Sequence, residues 1–250
     1  MEKVLRLLPW LCVVALWYAI RASGLVKAAL VPGPDEVLRT WWILLTQFGL
    51  LADVAASVRR VIIGLGAAVV LAIPVGFALG WYRPVGRFLD PLISFFRALP
   101  PIALIPLVIV YFGIGELAKG VILFYAAFFA STIVMYEGIS QISPIYVRVA
   151  RTFGATDGEI FFRVVVPLAV PHILTALRVA LGICWGTLVA SELVAAQAGL
   201  GAMIQNAGSY FKLDEVYVGI ICIGAIALVM DTLLRMASRR LVAWQERIVS

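Results

Sequence analysis

His172 is the only histidine in the chain. A Ser-His-Asp relay, or a metal site built on several imidazoles, is therefore not open to it. No G-x-x-x-x-G-K-[ST] segment occurs, so a P-loop for ATP is missing as well. Cys12, Cys184 and Cys222 lie far apart in apolar runs. They read as small buried hydrophobes, not as a metal cluster or a disulfide framework. What is left is charge inside apolar sequence, and one punctuated polar stretch. Arg97, Arg178, Glu192 and Asp231 interrupt runs apolar enough to lie in a bilayer. A mid-helix charge there costs about 2.5–3.5 kcal/mol, against a gain of about 0.3–0.6 kcal/mol for each Leu, Ile, Phe or Val. Each such charge is expected to face the helix bundle or water. Asp231 and Arg235 are four residues apart and can pair with each other. For Arg97 and Glu192, a packing role and a place on a solute pathway both stay open.

The polar stretch covers residues 143–171, the longest charged segment between two apolar runs. Ser143 is suited to cap a short helix with Pro144 at its first position, where the missing N–H is harmless. Gly154 suits the left-handed residue that ends such a helix. Thr156 and Glu159 have the spacing of a capping box, so a second short helix is expected to start there. Two short helices joined at a glycine make a compact knob that can dock into another protein. Phe153, Ile160, Phe161 and Phe162 offer it apolar anchors, and Arg148, Arg151, Asp157 and Glu159 polar edges. A plain basic patch for lipid would need neither the glycine break nor the capping box.

The elements that must position these residues are membrane spans. The sequence is 63% hydrophobic and 14% charged, whereas soluble domains sit near about 45–50% and about 25%. The net charge of +6 fits basic cytoplasmic loops better than nucleic acid, since no aromatic-interleaved basic groove is present. Lys3 and Arg6 precede an apolar run at residues 7–20 that reads as a first span and not as a cleaved leader. Pro32-Gly33-Pro34 then breaks the chain, with Asp35 as the expected cap. Val37, Leu38, Trp41, Leu44, Leu45 and Phe48 follow at helical spacing. That helix either lies in the membrane interface or packs on the bundle.

Further spans are expected at residues 54–81, 89–112, 120–139, 172–194 and 216–237, with a turn at Arg83 and Arg87 and an external segment at 195–215. Gly76 and Gly80 form a small-xxx-small pair suited to close helix contact. Pro91, Pro100, Pro101 and Pro106 should kink the third span and leave carbonyls that need partners. With both ends inside, the cytoplasmic side holds Lys3, Arg6, Arg83, Arg87, Arg148, Arg151, Arg163 and the tail arginines 235, 239, 240 and 247. The outer side holds Arg21, Lys27, Arg39, Arg59, Arg60, Lys119 and Lys212. The bias puts both termini and the knob in the cytoplasm.

The knob resembles the "EAA" loop of permease subunits of binding-protein-dependent ABC importers. Gly154 fits the loop's glycine, Ala150 its second alanine, Ile160 and Phe161 its apolar positions and Pro167 its proline. Arg148 and Val149 stand where Glu and the first Ala are usual. The run Arg97-Ala98-Leu99-Pro100-Pro101-Ile102-Ala103-Leu104-Ile105-Pro106-Leu107 is similar to the family's R-P-x-P-P-x-A-x-x-P-L. Phe112-Gly113-Ile114-Gly115-Glu116 is similar to its F-G-I-G-E, and Gly199-Leu200-Gly201 to its G-L-G. The similarity runs from about Leu38 to the end, and is greatest to the taurine, sulfonate and nitrate branch. There the tail from Ser191 to Gly208 looks most like the taurine permeases.

The resemblance implies an all-α, type I importer permease with six spans in the inner (cytoplasmic) membrane. Residues 1–53 would be a first span and a periplasmic amphipathic segment, and residues 54–250 a five-helix core carrying the coupling loop. It implies a second permease copy, two cytoplasmic ATPase subunits that bind ATP and Mg, and a periplasmic or extracellular binding protein. The chain would have no catalytic or metal site of its own. Coupling would fall to Arg148, Ala150, Arg151, Phe153, Gly154, Ala155, Thr156, Asp157, Glu159, Ile160 and Phe161. The pathway candidates are Arg97, Pro100, Pro101, Glu192, Gly199 and Gly201. Taurine is the substrate the resemblance favours, with nitrate, bicarbonate or a thiamine precursor as alternatives. A gradient-driven transporter would call for inverted repeats, and none is evident. An intramembrane enzyme would need a nucleophile–base pair, and the lone His172 sits at a membrane edge.

Overall fold

The computed structural model describes residues 2–23, 30–195 and 197–242; Lys27 and Arg247 of the charge count lie outside the described residues. Among these the chain is helical throughout, without a strand. In order the helices are α1 (Glu2–Ala22), α2 (Pro34–Gln47), α3 (Leu50–Trp81), α4 (Arg83–Ala98), α5 (Pro101–Phe112), α6 (Glu116–Ser140), α7 (Pro144–Thr152), α8 (Asp157–Ile160), α9 (Val166–Ala195), α10 (Leu200–Ser209) and α11 (Leu213–Leu241). A π-helical turn, Phe161–Val165, joins α8 to α9.

Among the described residues four helices are long and apolar enough to cross a membrane, and five spans result if α4 and α5 count as one bent pair. The apolar part of α1, Leu8–Ala22, is shorter, so the expected six depends on it. The third span is not merely kinked. It breaks into α4 and α5 with an 88° bend, because Leu99 and Pro100 are extended (ψ 120° and 124°) and Pro101 restarts the helix at its first turn. Arg83 and Arg87 do not form a turn. Only Tyr82 separates α3 from α4, and Pro84 in the first turn of α4 starts the new helix at once. The fifth span is longer than expected, since α8, the π turn and α9 run on as one apolar helix over Asp157–Val194. The π turn widens the backbone just where Pro167 offers no N–H, so the helix continues past the proline. The segment at residues 195–215 contains α10 (Leu200–Ser209), which its glycines had concealed.

The chain divides into two compact units. The first comprises Met1–Ser57 and Glu192–Ala225, the second Val58–Ser191 and Ile226–Ser250. In the first, Trp17 stacks on Tyr217 at 5.4 Å and donates its indole N–H to the Pro32 carbonyl at 3.1 Å. The cap of α2 is Gly33 and not Asp35. Pro34 takes the first helical position, and Glu36 reaches back to the Gly33 N–H at 3.1 Å. α2 buries Val37 and Leu44, leaves Leu38, Trp42 and Phe48 exposed, and is tied to α11 by Thr40 donating to Asp214 at 2.7 Å.

In the second unit α3 and α6 pack at near backbone contact. A Cβ on Gly76 would lie 2.7 Å from the Met135 Cβ, and one on Gly80 2.6 Å from the Ile139 side chain. The small-residue pair does what its spacing suggested. α6 meets α9 the same way, with the His172 ring filling the space a side chain at Gly138 would need. That packing gives the lone histidine a structural place.

Candidate functional site

The knob is built from local rules and then anchored by burial. Ser143 caps α7, its Oγ accepting from the Ile145 N–H at 3.4 Å. α7 ends in a Schellman turn. Gly154 has φ +81°, its N–H donates to the Arg151 carbonyl at 3.0 Å, and the Ala155 N–H donates to the Ala150 carbonyl at 3.1 Å. At the start of α8, Thr156 Oγ1 accepts from the Glu159 N–H, and the Thr156 N–H donates to Glu159 Oε2 at 3.1 Å. Arg151 and Asp157 close a 3.0 Å ion pair across the turn. Both are exposed, so the pair sets geometry more than it adds stability.

Ile160 and Val165 are fully buried and belong to one core cluster with Phe77, Met135, Ile139, Ala169 and Ala176. Val147, Ala150, Ala155 and Phe161 pack against that cluster, and Phe161 meets both Phe77 and Trp81 edge-on. These residues root the knob. Its outward face carries Tyr146, Val149, Phe153 and Phe162, with Phe153 86% exposed. Of the four apolar anchors read from the sequence, Phe153 and Phe162 are presented outward, Ile160 is buried and Phe161 half-buried. Tyr146 and Val149 were missed. The signal was there, since positions 146, 149 and 153 share one helical row. Arg148 and Arg151 line a groove of about 480 Å³ beside the knob, and Arg83 joins them there.

Arg97 lies in the last turn of α4, exposed, immediately before the 88° bend. Pro100 caps α5 and Pro101 is its first residue. Pro100 has no N–H to offer the Phe96 carbonyl, which accepts instead from the Leu99 N–H at 3.3 Å and from the Tyr125 hydroxyl of α6. Phe96 stacks on Phe129 at 5.4 Å, which holds α4 against α6. The carbonyl thus keeps protein partners, as apolar surroundings demand.

Glu192, in the first unit, is 1% exposed. Its carboxylate accepts from Ser57 Oγ at 2.8 Å and from the Gly201 N–H at 2.8 Å. Ser57 Oγ also accepts from the Leu200 N–H at 3.0 Å, and Asp53 accepts from the Gly199 N–H at 2.7 Å. Three side chains thus take up the first N–H groups of α10, whose positive end favours carboxylates. Gly199, at φ +123°, supplies the backbone conformation that aims them. Asp53 and Ser57 escaped the sequence reading, although they are four apart on one face of α3.

In the second unit other charges pair off around Asp231, partly buried, and around Glu116, exposed but bound by the buried Arg60 and Lys119. Asp231 accepts from Arg178 at 3.0 Å and Arg235 at 2.6 Å. Glu116 accepts from Arg60 at 2.6 Å and Lys119 at 3.0 Å. Among the described residues no group of His, Cys, Asp and Glu could hold a metal ion.

Residues 68–243 match the family described as binding-protein-dependent transport system inner membrane component. The chain is 44% identical to a probable ABC transporter permease of Brucella abortus (strain 2308), over 97% of this chain and 96% of that one. It is 37% identical to the taurine transport system permease of Escherichia coli (strain K12), over 93% of this chain and 86% of the relative. A chain of the inward-facing MetNI methionine ABC transporter has the same fold, with a TM-score of 0.65 at 21% identity over 82% of this chain and 97% of that one.

Proposed function

Because the chain belongs to the family of inner-membrane permease components of binding-protein-dependent ABC transporters, we propose that it forms the translocation pathway for taurine or a related small sulfonate. Uptake is driven by two partner ATPases that bind ATP and Mg. The observation that carries this reading is the α7–α8 knob. It is rigid at its root, where Ile160 and Val165 are fully buried, and apolar at its tip, where Phe153 is 86% exposed. A surface apolar residue of that size on a capped, glycine-broken knob suits a pocket on another protein. Arg148, Arg151 and Arg83 around the adjacent groove favour an acidic edge on that partner.

Two permease copies, both with cytoplasmic termini, would each offer one knob. Closure of the ATPases on ATP would push on the knobs and turn the cavity outward, where a binding protein delivers substrate. Support for taurine is the likeness to the taurine permease of Escherichia coli. Arg97, exposed at the α4–α5 bend, would be the cation that meets a sulfonate on the pathway.

The test is co-purification with the neighbouring-gene ATPase and binding protein, followed by ATP hydrolysis with and without taurine. Hydrolysis that rises several-fold with taurine-loaded binding protein supports class, coupling and substrate together. Phe153→Asp should leave membrane insertion intact and abolish ATPase attachment. Full attachment and full hydrolysis in that variant would overturn the knob assignment. A wild-type complex stimulated by nitrate, bicarbonate or a thiamine precursor, but not by taurine, would overturn the substrate.

A further inference from the structure

In the second unit, three cations gather at the start of α6. Glu116 accepts from Arg60 Nε at 2.8 Å and Nη2 at 2.6 Å, and from Lys119 at 3.0 Å. Arg59 is the outlier, 3.9 Å from Glu116 with its side chain 66% exposed, whereas those of Arg60 and Lys119 are 6% and 5% exposed. Arg59 therefore has only a distant share in a carboxylate already taken by two closer partners.

Below Arg59 a groove of about 460 Å³ opens between α3 and α6. Its walls are Ile63, Ala67, Leu117, Val121 and Phe124, and Gly120 adds no side chain to fill it. Ile63 and Leu117 are 60% and 64% exposed, so the groove faces away from the core. Both helices are apolar enough to cross a membrane. A small hydrophilic anion would satisfy Arg59 and leave the walls without a partner. An acidic protein edge would reach Arg59 but not enter an apolar slot.

We propose that this groove holds an anionic phospholipid, its phosphate on Arg59 and one acyl chain along Ile63, Ala67 and Phe124. The match is one of charge at the mouth and hydrocarbon along the walls. Basic pockets between spanning helices take anionic headgroups on the same physics. The proposal requires only that the chain crosses a membrane, so it stands or falls separately from the taurine and ATPase readings.

The test is native mass spectrometry of the detergent-purified full chain, titrated with phosphatidylglycerol or phosphatidylcholine of matched acyl length. Phosphatidylglycerol should be retained about fivefold better, the equivalent of about 1 kcal/mol for one basic residue at a membrane surface. Arg59→Ala should remove that preference and Arg59→Lys should restore it. Ile63→Trp, which fills the groove, should reduce retention of both lipids. Equal retention of the two lipids by the wild type, or an unchanged preference in Arg59→Ala, overturns the proposal. Displacement of phosphatidylglycerol by free glycerol phosphate would assign the site to a small anion instead. An intersubunit disulfide formed by Ile63→Cys would assign the groove to a second copy.

Discussion

Among the described residues, several charged side chains on apolar helices come with partners that make them tolerable. Asp231 binds Arg178 and Arg235, Glu116 binds Arg60 and Lys119, and Glu192 is held by a hydroxyl and a backbone N–H. Removing one member of such a set leaves the other stranded, which is where the free energy is lost. Outside the spans the same pairing is open to pH. The Arg21 guanidinium hydrogen-bonds Glu36 at 2.6 and 2.9 Å, and with help from the Gly33 N–H it holds the Glu36 carboxyl down to about 2. A depressed carboxylate stabilises the fold above its ordinary pKa of about 4.3. That contribution fades as pH falls through the folded value of about 2. Docking of α2 beside α1 should therefore be constant from neutral pH down to the ordinary carboxylate range, and loosen only below it. Hydrogen exchange of the α2 amides against pH reads this. Glu36→Gln should exchange at every pH as the wild type does only in strong acid. A loosening centred near pH 6 would exclude Glu36 as its cause.

At the scale of elements, α10 shows what sequence can and cannot disclose. Its first N–H groups rest on Asp53 and Ser57, far away in the chain, and on Glu192, at the end of the preceding helix. Ser57→Ala strands the Leu200 N–H and takes a donor from Glu192. Each unsatisfied buried group costs about 1–3 kcal/mol. The α10 amides should then exchange tenfold or more faster, while those of α6 are unchanged. Equal protection of α10 in the variant and the wild type would mean that its cap lies elsewhere. The knob was legible by contrast. Ser143, Gly154, Thr156 and Glu159 act on neighbours within a few residues, so spacing alone fixes their hydrogen bonds. The Gly76–Gly80 pair was legible for a related reason, since small residues one turn apart admit only a close neighbour. The α4–α5 break was half-legible. Four prolines announced a distortion, but the contacts of Tyr125 and Phe129 that hold Phe96 beside the break come from another helix and leave no local signal. Long-range pairs such as Arg60 with Glu116 leave no local periodicity to detect.

The whole molecule carries one asymmetry that its parts do not settle alone, the direction in which it sits in the membrane. Arginines gather at the knob, the α3–α4 junction and the end of α11, with Arg148, Arg151 and Arg163, Arg83 and Arg87, and Arg239 and Arg240. A bilayer sorts such segments to the cytoplasmic side. The proposed coupling needs this orientation, since only then would cytoplasmic ATPases meet Phe153. The α10–α11 connection displays Tyr210 and Phe211, 77% and 85% exposed, with Phe211 at φ +57°. A non-glycine residue held there is strained, and such strain persists where the surroundings impose it. Single cysteines at Phe153 and Tyr210, in a chain whose three native cysteines are replaced by alanine or serine, resolve the direction. In intact cells a membrane-impermeant maleimide should label Tyr210→Cys and spare Phe153→Cys, and opening the cells should make both reactive. Two sites labelled alike in intact cells would remove an odd number of crossings between them. The Leu8–Ala22 segment cannot affect that result, since both sites lie after it. A reversed pattern would put the knob outside, out of reach of ATP, and the coupling reading would fall with it.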